Sequence, residues 1–138
     1  MAAPVVHFEI NTANPAKVQQ FFSDLFGWKT KVIPEMNYGL VNTGSKKGIQ
    51  GGIGPKQQEA PSVIFYAEVD DPQKYLDKAV SLGGKILVPV ETIPNMVTFA
   101  LFADPDGNTI GLVKSEERSK PKKRVAKKKP ARRKRTKR

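Results

Sequence analysis

Apolar and polar residues follow the same order in two stretches of the chain. In the first stretch, residues 5–10 form a strand-like run, and Asn14 and Pro15 supply a capping residue and the first position of a helix. Gly27 ends this predicted helix, because glycine accepts the left-handed backbone of a helix C-terminus. The apolar stripe of the helix recurs at intervals of three and four residues and consists of Val18, Phe21, Phe22, Leu25 and Phe26.

The same pattern returns in the second half of the chain. Residues 63–69 form a strand-like run, Asp71 and Pro72 open a helix, and Gly83 with Gly84 ends it. The apolar stripe of this helix consists of Tyr75, Leu76, Ala79 and Leu82. An offset of 57 residues relates the two copies, as in the pairs Pro15 and Pro72, Leu25 and Leu82, and Gly27 and Gly84.

Further strand patterns follow each helix. Ile-Pro-Glu-Met at residues 33–36 matches Ile-Pro-Asn-Met at residues 93–96 with an offset of 60, so the second copy holds three extra residues before that point. The predicted strands are residues 28–33, 38–43 and 49–53 in the first copy and residues 85–90, 98–103 and 109–113 in the second. Each copy is therefore a predicted βαβββ unit, and the fold class is α+β.

Charge divides the chain after residue 117. Residues 118–138 hold fourteen Lys/Arg and no acid, whereas residues 1–117 hold ten Lys, no Arg and thirteen Asp/Glu. The net charge of +11 therefore combines about −3 on the first segment with +14 on the second. Like charges at this density repel one another, and the only apolar residues among them are Val125, Ala126 and Ala131. We predict one folded domain over residues 1–117 and a disordered basic tail over residues 118–138.

The basic tail is expected to bind nucleic acid or another polyanion. Flexible cationic side chains pair with phosphates and release counterions, so the affinity depends on salt and carries no sequence preference. The mixture of Lys, Pro and Ala resembles the tails of linker histones and bacterial histone-like proteins, and we expect DNA in preference to RNA. The residues expected to contact phosphate are Lys122, Lys123, Arg124, Lys127, Lys128, Lys129, Arg132, Arg133, Lys134 and Arg135.

Length and composition exclude several classes of protein. A segment of 117 residues is long enough to form one domain with one core. The chain has no cysteine, which excludes a disulfide framework and thiol chemistry. No segment approaches the roughly 20 apolar residues of a membrane helix, and the N-terminal residues lack a signal-peptide pattern. We expect no membrane partner and an intracellular location, in the bacterial cytoplasm or nucleoid or in a eukaryotic nucleus.

Several short motifs occupy matching places in the two units. Asp-Pro-Asp-Gly-Asn at residues 104–108 precedes the last predicted strand, and Val-His-Phe-Glu-Ile lies at residues 6–10. Phe-Gly-Trp follows at residues 26–28 and Gly-Ile-Gln-Gly-Gly-Ile at residues 48–53. Together with the paired βαβββ units, these motifs resemble the vicinal oxygen chelate superfamily, which includes glyoxalase I, bleomycin-resistance proteins and extradiol dioxygenases. The resemblance covers residues 4–114 and implies a cup-shaped, barrel-like mixed sheet, in a glyoxalase-related protein of uncertain activity.

The same resemblance implies a divalent metal held by the first and last strands of each unit, with a bidentate substrate completing its coordination. The corresponding positions in this chain are His7, Gly51, Ile64 and Gly111. Only His7 carries a metal-binding side chain, whereas catalytic zinc generally needs three protein ligands and magnesium or manganese needs oxygen donors. We therefore predict that the protein holds no catalytic metal and no other cofactor.

His7 and Glu9 are the candidate catalytic residues. Strand alternation places them on one face of the first strand, with Phe8 and Ile10 on the other face, suited to packing under the helices. A nearby carboxylate could keep the imidazole charged or orient its tautomer. Alternatively, His7 is a structural residue hydrogen-bonded into a packed wall. The expected ligand-binding positions are Tyr66, Ile64, Gly51 and Gly111.

Two further features are interpreted as structural. The glycine-rich run at residues 48–54 superficially matches a phosphate loop, but no Lys-Ser/Thr follows it and no helix begins there. We predict an edge of a strand that needs close backbone approach. Trp28 is the single tryptophan of the chain and is interpreted as a core or dimer-interface residue in preference to a stacking platform.

Three functions fit these observations. The first is a small-molecule-binding domain without metal, tethered to nucleic acid by its tail. The second is a metal-dependent lyase, isomerase or dioxygenase whose site is completed by the partner in a homodimer. The third makes the folded domain an anchor for a chromosome-coating tail. We expect a small molecule, a polyanion and a second copy of the chain as partners, and whether the protein is an enzyme stays open at this point.

Overall fold

The computed structural model describes residues 2–115, in which strands and helices alternate as the two predicted units require. The predicted tail over residues 118–138, with its expected phosphate contacts, lies outside the described residues. The elements are β1 (Val5–Thr12), α1 (Pro15–Phe26), β2 (Lys29–Ile33), a 3₁₀ turn (Pro34–Met36), β3 (Tyr38–Asn42), β4 (Gln50–Pro55), β5 (Ser62–Val69), α2 (Pro72–Ser81), β6 (Lys85–Ile93), β7 (Val97–Ala103) and β8 (Thr109–Lys114).

The strands of residues 2–115 form one curved, unclosed sheet in the order β2-β3-β4-β1-β5-β8-β7-β6. β1 and β5 are antiparallel at its centre, and each has a parallel partner on its other side, β4 or β8. Phe8 pairs with Phe65, its own equivalent 57 residues later. A pseudo-two-fold axis therefore passes between these two residues and exchanges the units. The predicted α+β fold with two βαβββ repeats is confirmed.

The central strands bring the candidate residues together. At the offset of 57, His7 is the equivalent of Ile64 and Glu9 is the equivalent of Tyr66. In the antiparallel pairing His7 stands opposite Tyr66 and Glu9 stands opposite Ile64. Because side chains of paired residues lie on the same face of a sheet, all four point to the face opposite the helices. We refer to this face as the cup face.

Both helices begin where the sequence predicts. Asn14 and Asp71 each accept, through Oδ1, the backbone N–H three residues further on, at 3.2 and 3.3 Å. α1 ends at Gly27, which has a φ of 74°, whereas α2 ends at Ser81, before Gly83 with a φ of 103°. Neither helix, at twelve and ten residues, is long and apolar enough to cross a membrane.

The strand after α2 is longer than predicted. The prediction covered residues 85–90, whereas β6 extends over Lys85–Ile93. Its pairing with β7 is interrupted between Ile86 and Val88 and again between Val88 and Glu91. Interruptions of this kind accommodate extra residues within a strand. The three extra residues of the second copy therefore lie in the bulged strand β6.

Apolar side chains pack both faces of the second repeat. Between the sheet and α2, the buried residues are Val69, Leu76, Ala100 and Leu112. On the cup face, the buried residues are Ile64, Tyr66, Phe99 and Leu101, with Leu87, Val88, Ile93, Val97 and Val113 packed against them. The second half of the cup is therefore filled with side chains, and polar groups gather in the first half.

Candidate functional site

Four polar side chains meet on the cup face, and we refer to them as the polar quartet: His7, Glu9, Tyr38 and Tyr66. Tyr38 Oη donates to Glu9 Oε2 at 2.9 Å, and Tyr66 Oη donates to Glu9 Oε1 at 3.1 Å. His7 Nε2 lies 3.0 Å from Tyr38 Oη. Because the single hydroxyl proton of Tyr38 goes to Glu9, the imidazole acts as the donor and Nε2 carries its proton. A continuous chain of hydrogen bonds thus runs from His7 through Tyr38 to Glu9.

Glycines in β4 and β8 make room for the two phenol rings. A side chain on Gly52 or Gly54 would overlap the ring of Tyr38, and one on Gly111 would overlap the ring of Tyr66. These rings lie directly against bare backbone, which only glycine allows. The predicted close approach to the glycine-rich run is confirmed, but the run is not at an edge, because β4 lies between β3 and β1.

Two of the expected ligand-binding positions differ in their relation to the quartet: Gly51 faces away from it, whereas Ile64 stands beside Glu9 on the cup face. Gly51 lies under the ring of Phe8, on the face of the sheet opposite Glu9. Ile64 is 3% exposed and belongs to the apolar cluster of the second repeat. Of the expected ligand-binding positions, Tyr66 is the one whose side chain contacts a candidate catalytic residue, Glu9, by a hydrogen bond.

Burial governs the ionisation of the quartet. Desolvation raises the pKa of the Glu9 carboxyl, which is 7% exposed, and hydrogen bonds from Tyr38, Tyr66 and Asn11 oppose that rise. Burial also lowers the pKa of His7 and raises the pKa of both phenols. None of the groups that act on the pKa of Glu9 is cationic. The site therefore combines a neutral imidazole at neutral pH with one desolvated carboxyl.

Of the two roles considered for Glu9, the geometry favours orientation of the imidazole. The carboxylate reaches His7 through the hydroxyl of Tyr38, and the pKa of His7 is lowered, which is the opposite of what a charge-stabilising neighbour does. The sequence did not point to Tyr38 as a site residue. The sequence feature that could have indicated Tyr38 is the pair of glycines, Gly52 and Gly54, on the neighbouring strand β4. These glycines leave space for one large ring.

The donor set does not fit a divalent metal. Residues 2–115 hold no group of three or more His, Cys, Asp and Glu side chains that could bind one ion. Of the four positions that correspond to metal ligands in the superfamily resembled, only His7 has a donor atom. The carboxylate of Glu9 already accepts from two phenols. A site with three protein ligands cannot be assembled from these side chains.

Two surface clefts lie on the second repeat. One, of about 360 Å³, surrounds the turn between β6 and β7, and the other, of about 370 Å³, lies between α2 and the turn between β7 and β8. Neither cleft is lined by His7, Glu9 or Tyr66. The quartet therefore lies outside both clefts, and His7 and Tyr38 are its partly exposed members.

Comparisons with known protein sequences agree on one superfamily. A sequence model of the Glyoxalase/Bleomycin resistance protein/Dioxygenase superfamily matches residues 5–112. A glyoxylase-like domain-containing protein from Didymella fabae is 29% identical over 109 residues, which are 73% of this chain and 85% of that protein.

Solved structures show the same fold. A glyoxalase/bleomycin resistance protein/dioxygenase superfamily member from Vibrio splendidus has a TM-score of 0.55 at 20% identity, over 82% of this chain and 98% of that one. Methylmalonyl-CoA epimerase from Mycobacterium tuberculosis has a TM-score of 0.55 at 14% identity, over 80% of this chain and 86% of that one. At these identities the likeness extends to the fold alone.

Proposed function

Because the chain belongs to the Glyoxalase/Bleomycin resistance protein/Dioxygenase superfamily, we propose that it is a small-molecule-binding member that works without a catalytic metal. We further propose that residues 118–138 tether it to nucleic acid, with DNA preferred to RNA. The observation that carries the binding site is the polar quartet, in which two phenols hold a buried carboxyl beside a partly exposed imidazole. The proposed tether rests on the distribution of charge along the chain: residues 118–138 carry a net charge of +14, whereas residues 1–117 carry about −3.

The ligand we propose is a small neutral molecule with a hydrogen-bonding oxygen. Nε2 of His7 is engaged with Tyr38, so Nδ1 is the imidazole atom that can meet a ligand. An anionic ligand would lie beside Glu9 with no cation to balance it, which a buried site disfavours. Leu40, on the same face as Tyr38 and 40% exposed, offers an apolar wall. The apolar cluster of the second repeat occupies the other half of the cup, which favours a small ligand.

Ligand-induced stabilisation of the full-length protein tests the binding site. A panel of uncharged aldehydes, ketones, alcohols and phenols is screened for compounds that raise the Tm. We expect the stabilisation to be lost in His7→Ala and kept in Thr92→Ala, a matched change in the cleft between β6 and β7. Loss in Thr92→Ala with retention in His7→Ala would move the site to that cleft and contradict the proposal.

Elemental analysis of the purified full-length protein tests the absence of a catalytic metal. We expect no divalent ion at a stoichiometric level, since His7 is the only donor at the four family positions. About one Ni, Zn, Mn or Fe per chain, lost on His7→Ala, would contradict this. That result would support the metal-dependent enzyme with a site completed by a partner subunit.

A salt series tests the tether separately. If most of the fourteen basic residues contact duplex DNA, log affinity should fall with log salt at a slope on the order of −8 to −12, about 0.9 per phosphate. Replacing the ten expected contact residues by Gln leaves four basic residues within residues 118–138, and the slope should fall to about −4. Binding that is insensitive to salt, or equally tight after the ten replacements, would overturn the tether.

A further inference from the structure

A cleft of about 370 Å³ lies beside α2 in the second repeat, facing the turn that joins β7 to β8. Leu112 and Phe102 form its floor, and both belong to the apolar packing beneath α2. Ala79 and Leu82 of α2 form one wall, and Pro105 belongs to the turn on the other side. Small-ligand sites are typically clefts of about 300–1,000 Å³ with mostly apolar walls and a few polar groups. The cleft has the size and the lining of such a site.

The first repeat fills the equivalent place with an aromatic ring. Ala79 of α2 stands at the position of Phe22 in α1, at the offset of 57 residues that relates the two helices. The ring of Phe22 stacks on Trp28, with the two ring centroids 5.1 Å apart. The second repeat carries Lys85 at the position of Trp28. A methyl group therefore replaces a phenyl ring on α2, and the space left beside the helix suits a planar ring.

The polar groups of the cleft favour an anion. Tyr75 and Lys78 lie three residues apart on α2, so their side chains are neighbours on the helix surface. The phenol and the ammonium can both donate hydrogen bonds, and the ammonium is cationic. Asp104 also lines the cleft, but its Oδ1 accepts from the backbone N–H groups of Asp106 and Asn108 at 2.9 and 2.8 Å. Its carboxylate is therefore directed into its own turn, and Lys78 supplies the charge that a ligand meets.

Backbone hydrogen bonds hold both walls of the cleft in place. At the end of α2, Gly84 N donates to the carbonyl of Ala79 at 2.8 Å. Across the cleft, Asp104 N donates to the carbonyl of Asn108 at 2.9 Å and closes the turn. A cleft whose walls are already ordered loses little conformational entropy on binding. The chain cannot supply the ring from its own C-terminal segment, because residues 116–138 contain no aromatic residue.

We propose that this cleft binds a small aromatic carboxylate. The ring lies against Ala79, in the place that the ring of Phe22 takes in the first repeat, and contacts Leu82. The carboxylate accepts hydrogen bonds from Lys78 and Tyr75, and the bond from the ammonium is charge-assisted. No member of the polar quartet lines the cleft. The protein therefore has a site for an aromatic anion that is separate from the proposed site for a neutral ligand.

Titration of the ¹⁵N-labelled full-length protein with benzoate, followed through the amide shifts in NMR spectra, tests the site. We expect saturable shifts in α2 and in the turn between β7 and β8. Benzoate should bind at least about 10-fold more tightly than acetate, which lacks the ring, or benzyl alcohol, which lacks the charge. Salt at about 0.15 M screens the basic C-terminal segment. Shifts confined to residues 118–138, or equal affinities for benzoate and either control compound, would overturn the proposal.

Three variants of the full-length protein locate the ring and the charge. Ala79→Phe places the ring of the first repeat in the cleft and should weaken benzoate binding at least about 10-fold. The matched control is Val80→Phe, which adds the same ring at a position that is 46% exposed and does not line the cleft. Lys78→Gln should weaken benzoate about 10-fold and leave benzyl alcohol unchanged, whether or not Ala79→Phe folds. Equal binding by the two Phe variants, or full affinity for benzoate in Lys78→Gln, would contradict the site.

Discussion

α1 and α2 occupy equivalent places on the sheet, yet each is anchored by a different kind of contact. α2 buries Leu76, which is 1% exposed, in the apolar cluster around Val69. At the equivalent position α1 carries Gln19, which is 8% exposed and donates through Nε2 to the carbonyl of Ile53 at 3.0 Å. The second repeat holds its helix by hydrophobic burial, whereas the first repeat uses a directed hydrogen bond and leaves several apolar side chains facing outward.

The same division holds on the cup face. The second repeat fills its half of the cup with an apolar cluster, whereas the first repeat places the polar quartet there. In the first repeat, glycines let polar side chains pack against the backbone. A Cβ on Gly39, for example, would lie 2.7 Å from Nε2 of Gln19 and displace that side chain. The difference teaches that the second repeat is held by apolar burial on both faces of its sheet, whereas the first repeat relies on directed hydrogen bonds and carries the polar quartet.

The largest expected effect comes from the apolar anchor. Leu76→Ala should lower the free energy of unfolding by about 3 kcal/mol, within a range of roughly 2–5, because it leaves a cavity in a closed cluster. Gln19→Ala should cost about 1–2 kcal/mol, because the buried carbonyl of Ile53 loses its donor. Urea denaturation of the full-length variants measures both values. If Gln19→Ala costs as much as Leu76→Ala, the contrast between the two anchors is wrong.

A smaller effect is expected from the glycine beneath Tyr38. Gly52→Ala should destabilise the protein by about 1–3 kcal/mol, because the new methyl overlaps the phenol and displaces it from Glu9. Gly48→Ala is the matched control, since its Cβ would meet only Thr43 Oγ1 at 3.7 Å. Equilibrium unfolding gives the energies, and tyrosine absorption reports the environment of the ring. Equal stability of the two variants would show that Tyr38 is not held against the backbone.

The smallest expected effect is a dependence on pH that arises in the first repeat. Burial raises the pKa of Glu9 in the folded protein above the ordinary value of 4.5, so the folded state binds this proton more tightly than the unfolded state. The contribution of Glu9 to stability should therefore fall as pH rises from about 4.5 to the raised pKa, and stay level above it. Unfolding curves across this window should show a shallower decline with pH in Glu9→Gln. An unchanged or steeper decline would contradict the burial of an ionisable carboxyl.

His7 acts in the opposite sense over a neighbouring range. Its pKa is lowered from 6.5 by burial, so the unfolded state binds this proton more tightly than the folded state. Its contribution to stability should be complete above pH 6.5 and be lost as pH falls toward the lowered pKa. His7→Gln should remove this loss. If that variant loses stability on acidification as the wild type does, the pKa of His7 is not lowered in the folded protein.

Local features of the fold could be predicted from the sequence, and long-range ones could not. The caps at Asn14 and Asp71 and the end of α1 at Gly27 depend on contacts within about four residues, which a pattern contains. The repeat offset correctly predicted the βαβββ order. The bond from Tyr38 to Glu9 joins residues 29 positions apart, and the filling of the cup depends on which side chains the sheet brings together. Neither follows from spacing.

The bond between Glu9 and Tyr66 has a consequence for the symmetry of the chain. These residues occupy the same position in the two units, related by the pseudo-two-fold axis. Two identical units around a true axis would have to set glutamate near glutamate or tyrosine near tyrosine. The first pair would repel and force one carboxyl to keep its proton, and the second would contain no carboxylate to receive the phenols. A mixed pair requires two units of different sequence, and the two repeats of this chain meet that requirement within one polypeptide.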